Sequence, residues 1–126
     1  MIVAYTLCPV RMAIPGLGGS LLVPRPLLAV QITGPGGMVL RDGHLDTGSD
    51  ETLLDSSVAG HIGVDLTAAP EREINLVGRG LIRCRYGQVE FRITDGIHET
   101  YQWSAIVAFS PFRLRRSLLG YAGFLQ

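Results

Sequence analysis

Apolar and polar side chains alternate along much of this chain, and the alternation predicts strands. Leu28, Val30 and Ile32 are separated by smaller or polar residues, a period of two that is typical of a half-buried strand. The turn-forming sequence Gly-Pro-Gly-Gly occupies residues 34–37, and a second strand is predicted over 38–45. Glycine and proline together favour a tight turn, so the two strands are predicted to pair as a hairpin.

The rest of the chain continues the strand pattern with one helical interruption. Capping residues begin the segment 55–63 and a glycine ends it, which predicts one short helix of about two turns. Further strands are predicted over 74–77, 81–86, 89–93 and 101–109. Short strands with turn signals between them predict a mostly β sandwich or barrel-like domain.

The beginning of the chain differs in composition from the later part. Residues 1–26 contain four of the seven prolines together with several glycines, a composition typical of an arm or linker rather than of a packed element. A chain of 126 residues is long enough to bury one ordinary core. We therefore expect a Pro/Gly-rich N-terminal arm over 1–26 and a single domain over 27–126.

Charge balance and apolar content limit the classes of partner. Eleven Lys and Arg residues offset eleven Asp and Glu residues, so no bulk electrostatic field attracts nucleic acid or an anionic membrane. Charged residues make up 17% of the chain and apolar residues 47%, proportions that favour coverage of some apolar surface by self-association. We expect neither nucleic acid nor a membrane as a partner.

The cysteines and the start of the chain indicate an intracellular setting. Cys8 and Cys84 form no Cys-x-x-Cys or Cys/His spacing, so two free thiols in a reducing compartment are expected. The first apolar residues lack a preceding basic region, and prolines interrupt the sequence after them. No secretory signal and no membrane span are predicted, and the expected location is cytoplasmic.

The segment with the clearest chemistry begins at Asp46. This carboxylate ends a predicted strand and is followed by Thr47, Gly48 and Ser49, so it is expected in a tight loop where backbone N–H groups and a hydroxyl can hold it. The triplet alone is a weak signal. It gains weight from the apolar strand before it, from Ser-Asp-x-Thr-Leu-Leu around it, and from an apolar pair with a glycine at 118–120.

In these features the chain resembles the retropepsin-like aspartic proteases, the family of the retroviral proteases and their bacterial and eukaryotic relatives. The resemblance covers about residues 25–125. Its points are, in chain order, Arg25-Pro26-Leu27, the active-site loop Asp46-Thr47-Gly48-Ser49, the flap tip Val77-Gly78-Arg79-Gly80 and the turn Leu118-Leu119-Gly120 beneath the loop. It implies a closed, mostly β domain with one or two short helices and an aspartic peptidase that uses no cofactor.

Peptide hydrolysis explains why one such loop is not sufficient. A bound water needs a base to take its proton and an acid to polarise the carbonyl, and two close carboxylates do both because they share a single proton. The other Asp-Gly pairs, at 42–43 and 95–96, lack the hydroxyl residue and the apolar lead-in. A two-lobed pepsin would need a far longer chain. The expected enzyme is therefore a C2 homodimer with Asp46 and its symmetry mate at the two-fold axis.

The resemblance also implies roles for the residues of the loop. Asp46 is the catalytic acid and base, Thr47 fixes the loop by hydrogen bonds across the dyad, and the Gly48 backbone meets the main chain of the substrate. Ser49 and Asp50 are expected to bind substrate along the groove.

A flap is implied at Val77, Gly78, Arg79 and Gly80, whose glycines ease a closing motion. The flap would cover an extended peptide, which would lie as an added strand between flap and floor. Arg79 stands where many flaps carry another glycine, so it is expected to stiffen the tip or to contact substrate.

The chain departs from the retroviral pattern after the turn at 118–120. Retroviral members often carry an arginine there that pairs with the position of Asp50, whereas Tyr121 and Ala122 follow here. No counterpart of the retroviral C-terminal strand follows the turn. Dimerisation is therefore expected to rely on the N-terminal arm, on the active-site loops or on residues outside this sequence.

Simpler interpretations compete with these assignments. The loop at Asp46 can be an Asx-type turn without chemistry, and His44 is more simply a surface or hydrogen-bonded histidine. A metal site of His44, Asp46, His61 and Asp65 needs a convergence that nothing in the sequence enforces, so no metal is expected. Ser49 has no Gly-x-Ser-x-Gly frame, which disfavours serine catalysis.

A small basic cluster precedes the last predicted turn. Arg113, Arg115 and Arg116 are most simply a solvated loop, and binding of an acidic partner is the alternative.

Three functional hypotheses remain. The first is a homodimeric aspartic endopeptidase that cleaves extended peptides through a water held between paired Asp46 carboxylates. The second is a dimerisation or peptide-binding module with the same fold and little or no catalysis. The third is a hydrolase that uses a metal at Asp46 and His44.

Overall fold

The computed structural model describes residues 4–76 and 78–126. Strands dominate this part of the chain, together with one α-helix, α1 (Ser56–Ile62), and one 3-10 turn, Pro15–Leu17. The strands are β1 (Thr6–Ile14), β2 (Ser20–Arg25), β3 (Leu27–Gly34), β4 (Gly37–Leu45), β5 (Leu53–Asp55), β6 (Glu71–Leu76), β7 (Gly80–Thr94), β8 (Thr100–Ser110) and β9 (Ser117–Leu119). The prediction of a mostly β domain with one or two short helices is confirmed.

Seven of these strands form one sheet that closes on itself. Their order is β3-β4-β9-β5-β8-β7-β6, with parallel pairing between β4 and β9 and between β5 and β8. Strand β3 also pairs with β7, where Gln31 lies opposite Arg92. Six strands therefore close a barrel, and β6 extends from it as the outer strand of the β6–β7 hairpin.

An aromatic cluster lies in the core of the barrel. The ring of the fully buried Phe91 has its centroid 5.6 Å from that of Trp103 and 5.4 Å from that of Phe124, in the tilted and edge-on arrangements that aromatic pairs prefer. The indole N–H of Trp103 donates to the carbonyl of Gly123 at 2.9 Å. The buried apolar residues around the cluster are Val30, Ile32, Leu54, Val58, Ala59, Ile62, Val89, Val107, Phe109 and Leu119.

The predicted short helix is confirmed, and its caps are the expected ones. Asp55 accepts a hydrogen bond from the backbone N–H of Ser57 at 2.9 Å, and Gly63 ends the helix with a φ of 73°. The second carboxylate oxygen of Asp55 accepts from the backbone N–H of Leu114 at 3.0 Å. One side chain thus caps α1 and holds the segment that leads into β9.

The second strand of the β6–β7 hairpin is longer than the sequence pattern predicts. Separate strands over 81–86 and 89–93 are wrong, because β7 runs without a break from Gly80 to Thr94. Gly87, which lies between the two predicted segments, is a packing residue: a Cβ at this position would lie 2.7 Å from Cγ1 of Val64. The glycine lets the loop after α1 approach the strand closely.

The N-terminal segment is a two-stranded hairpin. Strand β1 pairs with β2 and, among the described residues, with no strand of the barrel, whereas the composition favoured an arm without packed elements. Each strand of a ribbon has an unpaired side, so prolines such as Pro9 and Pro24 fit within it.

The two faces of this hairpin differ. Cys8 is 4% exposed, and its sulfur lies 3.7 Å from a guanidinium nitrogen of Arg116, so this face meets the loop before β9. Side chains alternate between the faces of a strand, and the register pairs Leu7 with Pro24 and Pro9 with Leu22. The outer, exposed face is apolar and consists of Tyr5, Leu7, Pro9, Leu22 and Pro24.

Within the described ranges, no helix has the length and apolar character required to cross a bilayer.

Candidate active site

Asp46 follows the end of β4 in a tight loop. Its backbone N–H donates to the carbonyl of Leu119 at 3.0 Å, and its own carbonyl accepts from the backbone N–H of Ser49 at 3.1 Å. The N–H of Gly48 donates to Oδ1 of the Asp46 carboxylate at 3.0 Å. A Cβ on Gly48 would lie 3.3 Å from the same oxygen, so a glycine keeps this backbone close to the carboxylate.

The turn after β9 supports the loop from beneath, as the resemblance implied. Strand β9 lies between β4 and β5, and a Cβ on Gly120 would lie 2.2 Å from the carbonyl oxygen of Glu51. The two segments are therefore in backbone contact, and Gly120 is the residue that allows it.

Thr52 joins the same two segments and was not assigned a role from the sequence. Its hydroxyl donates to the carbonyl of Ala122 at 2.9 Å and accepts from the N–H of Gly120 at 3.2 Å. The side chain is 1% exposed. A hydroxyl residue immediately before the apolar pair Leu53-Leu54 was the available signal, because a buried hydroxyl needs hydrogen-bond partners.

The loop borders a groove of about 660 Å³. Asp46, Gly48, Ser49 and Asp50 line one side, and residues 72–76, all of them in β6, line the other. Of the predicted site residues, Asp46, Gly48, Ser49 and Asp50 are therefore the ones that line this groove. Thr47 belongs to the same loop and is exposed.

Two solved structures share this architecture. EIAV protease, complexed with an inhibitor, superposes with a TM-score of 0.51 at 20% identity over 77% of this chain and 82% of its own. A retropepsin-like aspartic protease from Rickettsia conorii superposes with a TM-score of 0.50 at 20% identity over 75% of this chain and 74% of its own. This chain has the retropepsin-like fold. No protein-family model matches the sequence, and the search of curated proteins gives no significant match.

The predicted flap tip lies at the turn of the β6–β7 hairpin. The backbone N–H of Arg79 donates to the carbonyl of Leu76 at 2.9 Å, and Gly78 and Gly80 have φ angles of 84° and 75°, which glycine adopts without strain. Val77 lies outside the described residues. The substrate contacts of Val77, Gly78, Arg79 and Gly80 stay predictions.

Arg79 packs against the loop before β9 rather than against the groove. Its guanidinium carbon lies 4.4 Å from the centroid of the Phe112 ring, a cation–π distance. Arg79 lines a second pocket on that side of the hairpin.

Backbone hydrogen bonds hold the loop where the retroviral pattern has an arginine. The N–H of Tyr121 donates to the carbonyl of Ser49, and that of Ala122 to the carbonyl of Asp50, both at 2.9 Å. In the described part of the chain no Arg side chain forms an ion pair with Asp50. Main-chain contacts thus fix the position of the loop.

Glu51 forms a polar cluster at the back of the groove that sequence analysis missed. The Tyr86 hydroxyl lies 2.7 Å and 2.8 Å from its two carboxylate oxygens, and Arg72 lies 3.6 Å from one of them. Burial, then the hydrogen bond to Glu51 and its negative charge, raise the pKa of Tyr86 well above its ordinary value. Tyr86 is therefore a neutral donor to a carboxylate, and no sequence motif links residues this far apart.

Nucleophilic side chains near the loop are already engaged or inert. The Ser49 hydroxyl donates to the carbonyl of Glu51 at 2.7 Å. The hydroxyl is therefore engaged in a hydrogen bond and is not oriented to act as a nucleophile. Burial, with a smaller contribution from Glu51, raises the pKa of Cys84 to about 11, so its thiol is protonated at neutral pH. Across residues 4–76 and 78–126, no three His, Cys, Asp or Glu side chains form a group that could hold a metal ion.

Proposed function

We propose that the chain is an aspartic endopeptidase that acts as a homodimer and hydrolyses extended peptides. The observation that carries the proposal is the setting of Asp46: a carboxylate in a glycine-containing loop, held by the Gly48 N–H at 3.0 Å, on a groove large enough for a peptide segment. The shared fold of two aspartic proteases supports it.

The chemistry requires two Asp46 carboxylates. Like charges a few ångströms apart cannot both ionise, so the pair holds one proton and titrates as a unit. The ionised partner takes a proton from the bound water as the water oxygen bonds to the carbonyl carbon, and the protonated partner donates to the carbonyl oxygen of the scissile bond. The second partner then takes a proton back from the tetrahedral intermediate while the first donates its proton to the amide nitrogen, so that the C–N bond breaks and the amine leaves. No other side chain in this mechanism changes its covalent bonds.

A second copy of the chain would supply the second carboxylate. Thr47 and Gly48 are exposed beside a partly exposed Asp46, which leaves the surface of the loop free for a symmetry mate. The apolar outer face of the β1–β2 hairpin is further surface that a second copy would cover.

The substrate would bind as an extended strand between the loop and β6. The Gly48 backbone, Ser49 and Asp50 would contact its main chain and nearer side chains, and residues 78–80 would close over it. Backbone hydrogen bonds give such strand addition its affinity, and side-chain pockets give it specificity.

Cleavage of a peptide library tests the proposal. The wild-type chain should cleave library members, a statine-type inhibitor should block cleavage, and Asp46→Asn should abolish it. Asp65→Asn is the matched control, because Asp65 lies outside the groove and an Asn Oδ1 can still accept from the backbone N–H and hydroxyl of Thr67. Turnover that survives in Asp46→Asn would rule out the mechanism.

The dimer is tested separately by concentration. Below the dissociation constant, activity per chain should rise in proportion to protein concentration, because two chains make one active site. Sedimentation equilibrium over the same range should show the monomer converting to a dimer. Activity per chain that does not change across a range where only monomer is present would exclude the shared site.

A peptide-binding module without turnover is the second candidate. It is favoured by the absence, in the described part of the chain, of an Arg partner for Asp50. Saturable peptide binding by the dimer with no cleavage at any pH between about 3 and about 7 would support the module over the enzyme.

A further inference from the structure

We infer that a second pocket, next to the proposed active site, binds an acidic side chain of the substrate peptide. This inference rests on the proposed peptidase function, since it specifies the substrate class of that site. The pocket has a volume of about 910 Å³ and lies between the flap tip, the loop 111–116 and strands β3 and β4. It is lined by five arginines: Arg41, Arg79, Arg113, Arg115 and Arg116.

The positive charge of this pocket is not neutralised by ion pairs. Throughout the described ranges, ion pairs are made by Arg72, Arg83 and Arg85, none of which lines the pocket. Two carboxylates do line it, Asp42 and Asp55. Five guanidinium groups against two carboxylates leave the pocket lining with an excess of positive charge.

Three of the five guanidinium groups are held in place by contacts that leave their charge free. Arg79 packs 4.4 Å above the Phe112 ring, Arg116 donates to the sulfur of Cys8 at 3.7 Å, and Arg41 donates to a backbone carbonyl at 2.9 Å. Side chains that are already ordered lose less conformational entropy when a ligand binds. Arg113 and Arg115 are exposed at the rim.

The pocket is within reach of a peptide bound at Asp46. Ser117, which lines the pocket, pairs with Gly43, three residues before Asp46 on the same strand. At about 3.3 Å per residue, Gly43 lies about 10 Å along β4 from Asp46. A side chain about three residues from the scissile bond of an extended substrate covers the same distance.

The walls of the pocket match a Glu or Asp side chain better than a bare anion. Leu40 and Leu114 supply apolar surface for the methylene groups, and arginine forks bind carboxylates through paired hydrogen bonds. A nucleic acid ligand is disfavoured, because the chain has a formal net charge of +0 and gains little long-range attraction to phosphate.

The test uses pairs of octapeptides that differ only in Glu or Gln at one position. The octapeptides are based on library sequences that the protein cleaves, and Glu or Gln is placed two, three or four residues from the scissile bond on either side. The kcat/KM is measured for each pair. At one of these positions the Glu peptide should be cleaved about tenfold faster, and the preference should fall as salt rises.

Variants at the exposed rim connect that preference to the pocket. Arg113→Gln with Arg115→Gln should reduce the Glu preference, measured as the ratio of kcat/KM for the Glu and Gln peptides, by about threefold per arginine removed. Arg92→Gln is the matched control, because it removes the same kind of charge from a position outside the pocket. An equal effect of Arg92→Gln would show that net charge, and not this pocket, sets the preference.

Binding to Asp46→Asn separates the failure of this inference from the failure of the proposed function. Fluorescently labelled Glu and Gln peptides are titrated with that variant, with a twelve-nucleotide oligothymidylate as competitor. Preferential Glu binding that depends on the two arginines supports the pocket even if the wild type cleaves nothing. Cleavage without a preference for Glu contradicts the proposed pocket and leaves the proposed peptidase function standing. Binding of the oligonucleotide more tightly than the Glu peptide also contradicts the proposed pocket.

Discussion

The β1–β2 hairpin and the barrel consist of the same kind of strand, but they bury their side chains to opposite extents. In the barrel, Ile32 and Phe91 are 0% exposed, whereas in the hairpin Leu7 is 62% and Met12 80% exposed. Barrel strands have neighbours on both sides and a face turned inward. Of the described residues before β3, only Cys8 is buried.

This difference indicates which residues stabilise the fold and which exposed surface the proposed dimer would cover. A two-stranded ribbon cannot enclose a core, so it adds little to the stability of the fold. Its apolar outer face gains free energy only when another surface covers it. Substitutions in the barrel should therefore change unfolding, and substitutions on the outer face of the hairpin should change assembly.

The largest contrast is expected between Phe91→Ala and Met12→Ala. Loss of the Phe91 ring would leave a cavity beside Trp103 and Phe124 and lower the free energy of unfolding by about 3–5 kcal/mol. Truncation of the exposed Met12 should change it by less than about 0.5 kcal/mol. Urea denaturation, monitored by Trp103 fluorescence, measures the free energy of unfolding of both variants. Comparable losses of stability in the two variants would mean that the hairpin is part of the cooperative core.

Gly120→Ala tests the contact beneath the active-site loop. The added Cβ would meet the Glu51 carbonyl, and overpacking of this kind costs about 1–3 kcal/mol. Gly60→Ala is the control, because Gly60 lies in α1 with nothing within 4 Å of its Cβ position; it should stabilise by about 0.5–1 kcal/mol. Peptide cleavage should fall in Gly120→Ala and not in Gly60→Ala.

Asp55→Asn tests how the cap of α1 holds the loop before β9. Burial opposes the charge of Asp55, but the N–H donors of Ser57 and Leu114 and the nearby Arg113 outweigh it and lower its pKa below the ordinary 3.8. The ionised form therefore stabilises the fold above about pH 4, and this contribution is lost as the pH falls through the lowered pKa.

The variant should be less stable than the wild type by about 1 kcal/mol at neutral pH. The deficit should shrink as the pH falls below 3.8, the ordinary pKa of Asp55, since the wild-type carboxyl then becomes neutral as well. Urea midpoints at neutral pH and at successively lower pH values test this. A difference in stability between the variant and the wild type that does not change with pH would mean that the shape of the Asp55 side chain, and not its negative charge, stabilises the cap.

A small change in stability together with weaker assembly is expected for Leu7→Ser with Leu22→Ser on the hairpin. Stability of the monomer should change by less than about 0.5 kcal/mol per site, while the dissociation constant of the proposed dimer should rise about tenfold. Ile97→Ser, at a side chain that is 78% exposed outside the hairpin, is the matched control. If sedimentation equilibrium detects the same fraction of dimer in the wild type, the double variant and the control, the dimer interface lies elsewhere.

Local sequence determined the features that depend on neighbouring residues. Period-two alternation located β3 and β4, and Asp55 and Gly63 located α1, because caps and turns act over a few residues. The tight loop at Asp46 was also predictable, since it is formed by consecutive residues, and its catalytic role stays a prediction.

The tertiary structure decided what depends on residues distant in the chain. Gly87 lies between two segments predicted as separate strands, but in the structure it is part of one strand and allows close packing against Val64. The partners of Glu51 and the clustering of Arg41 and Arg79 with the loop before β9 arise because barrel closure joins separate segments. Sequence alone specifies local geometry through short-range sterics and hydrogen bonds, whereas long-range contacts form only when the whole core packs.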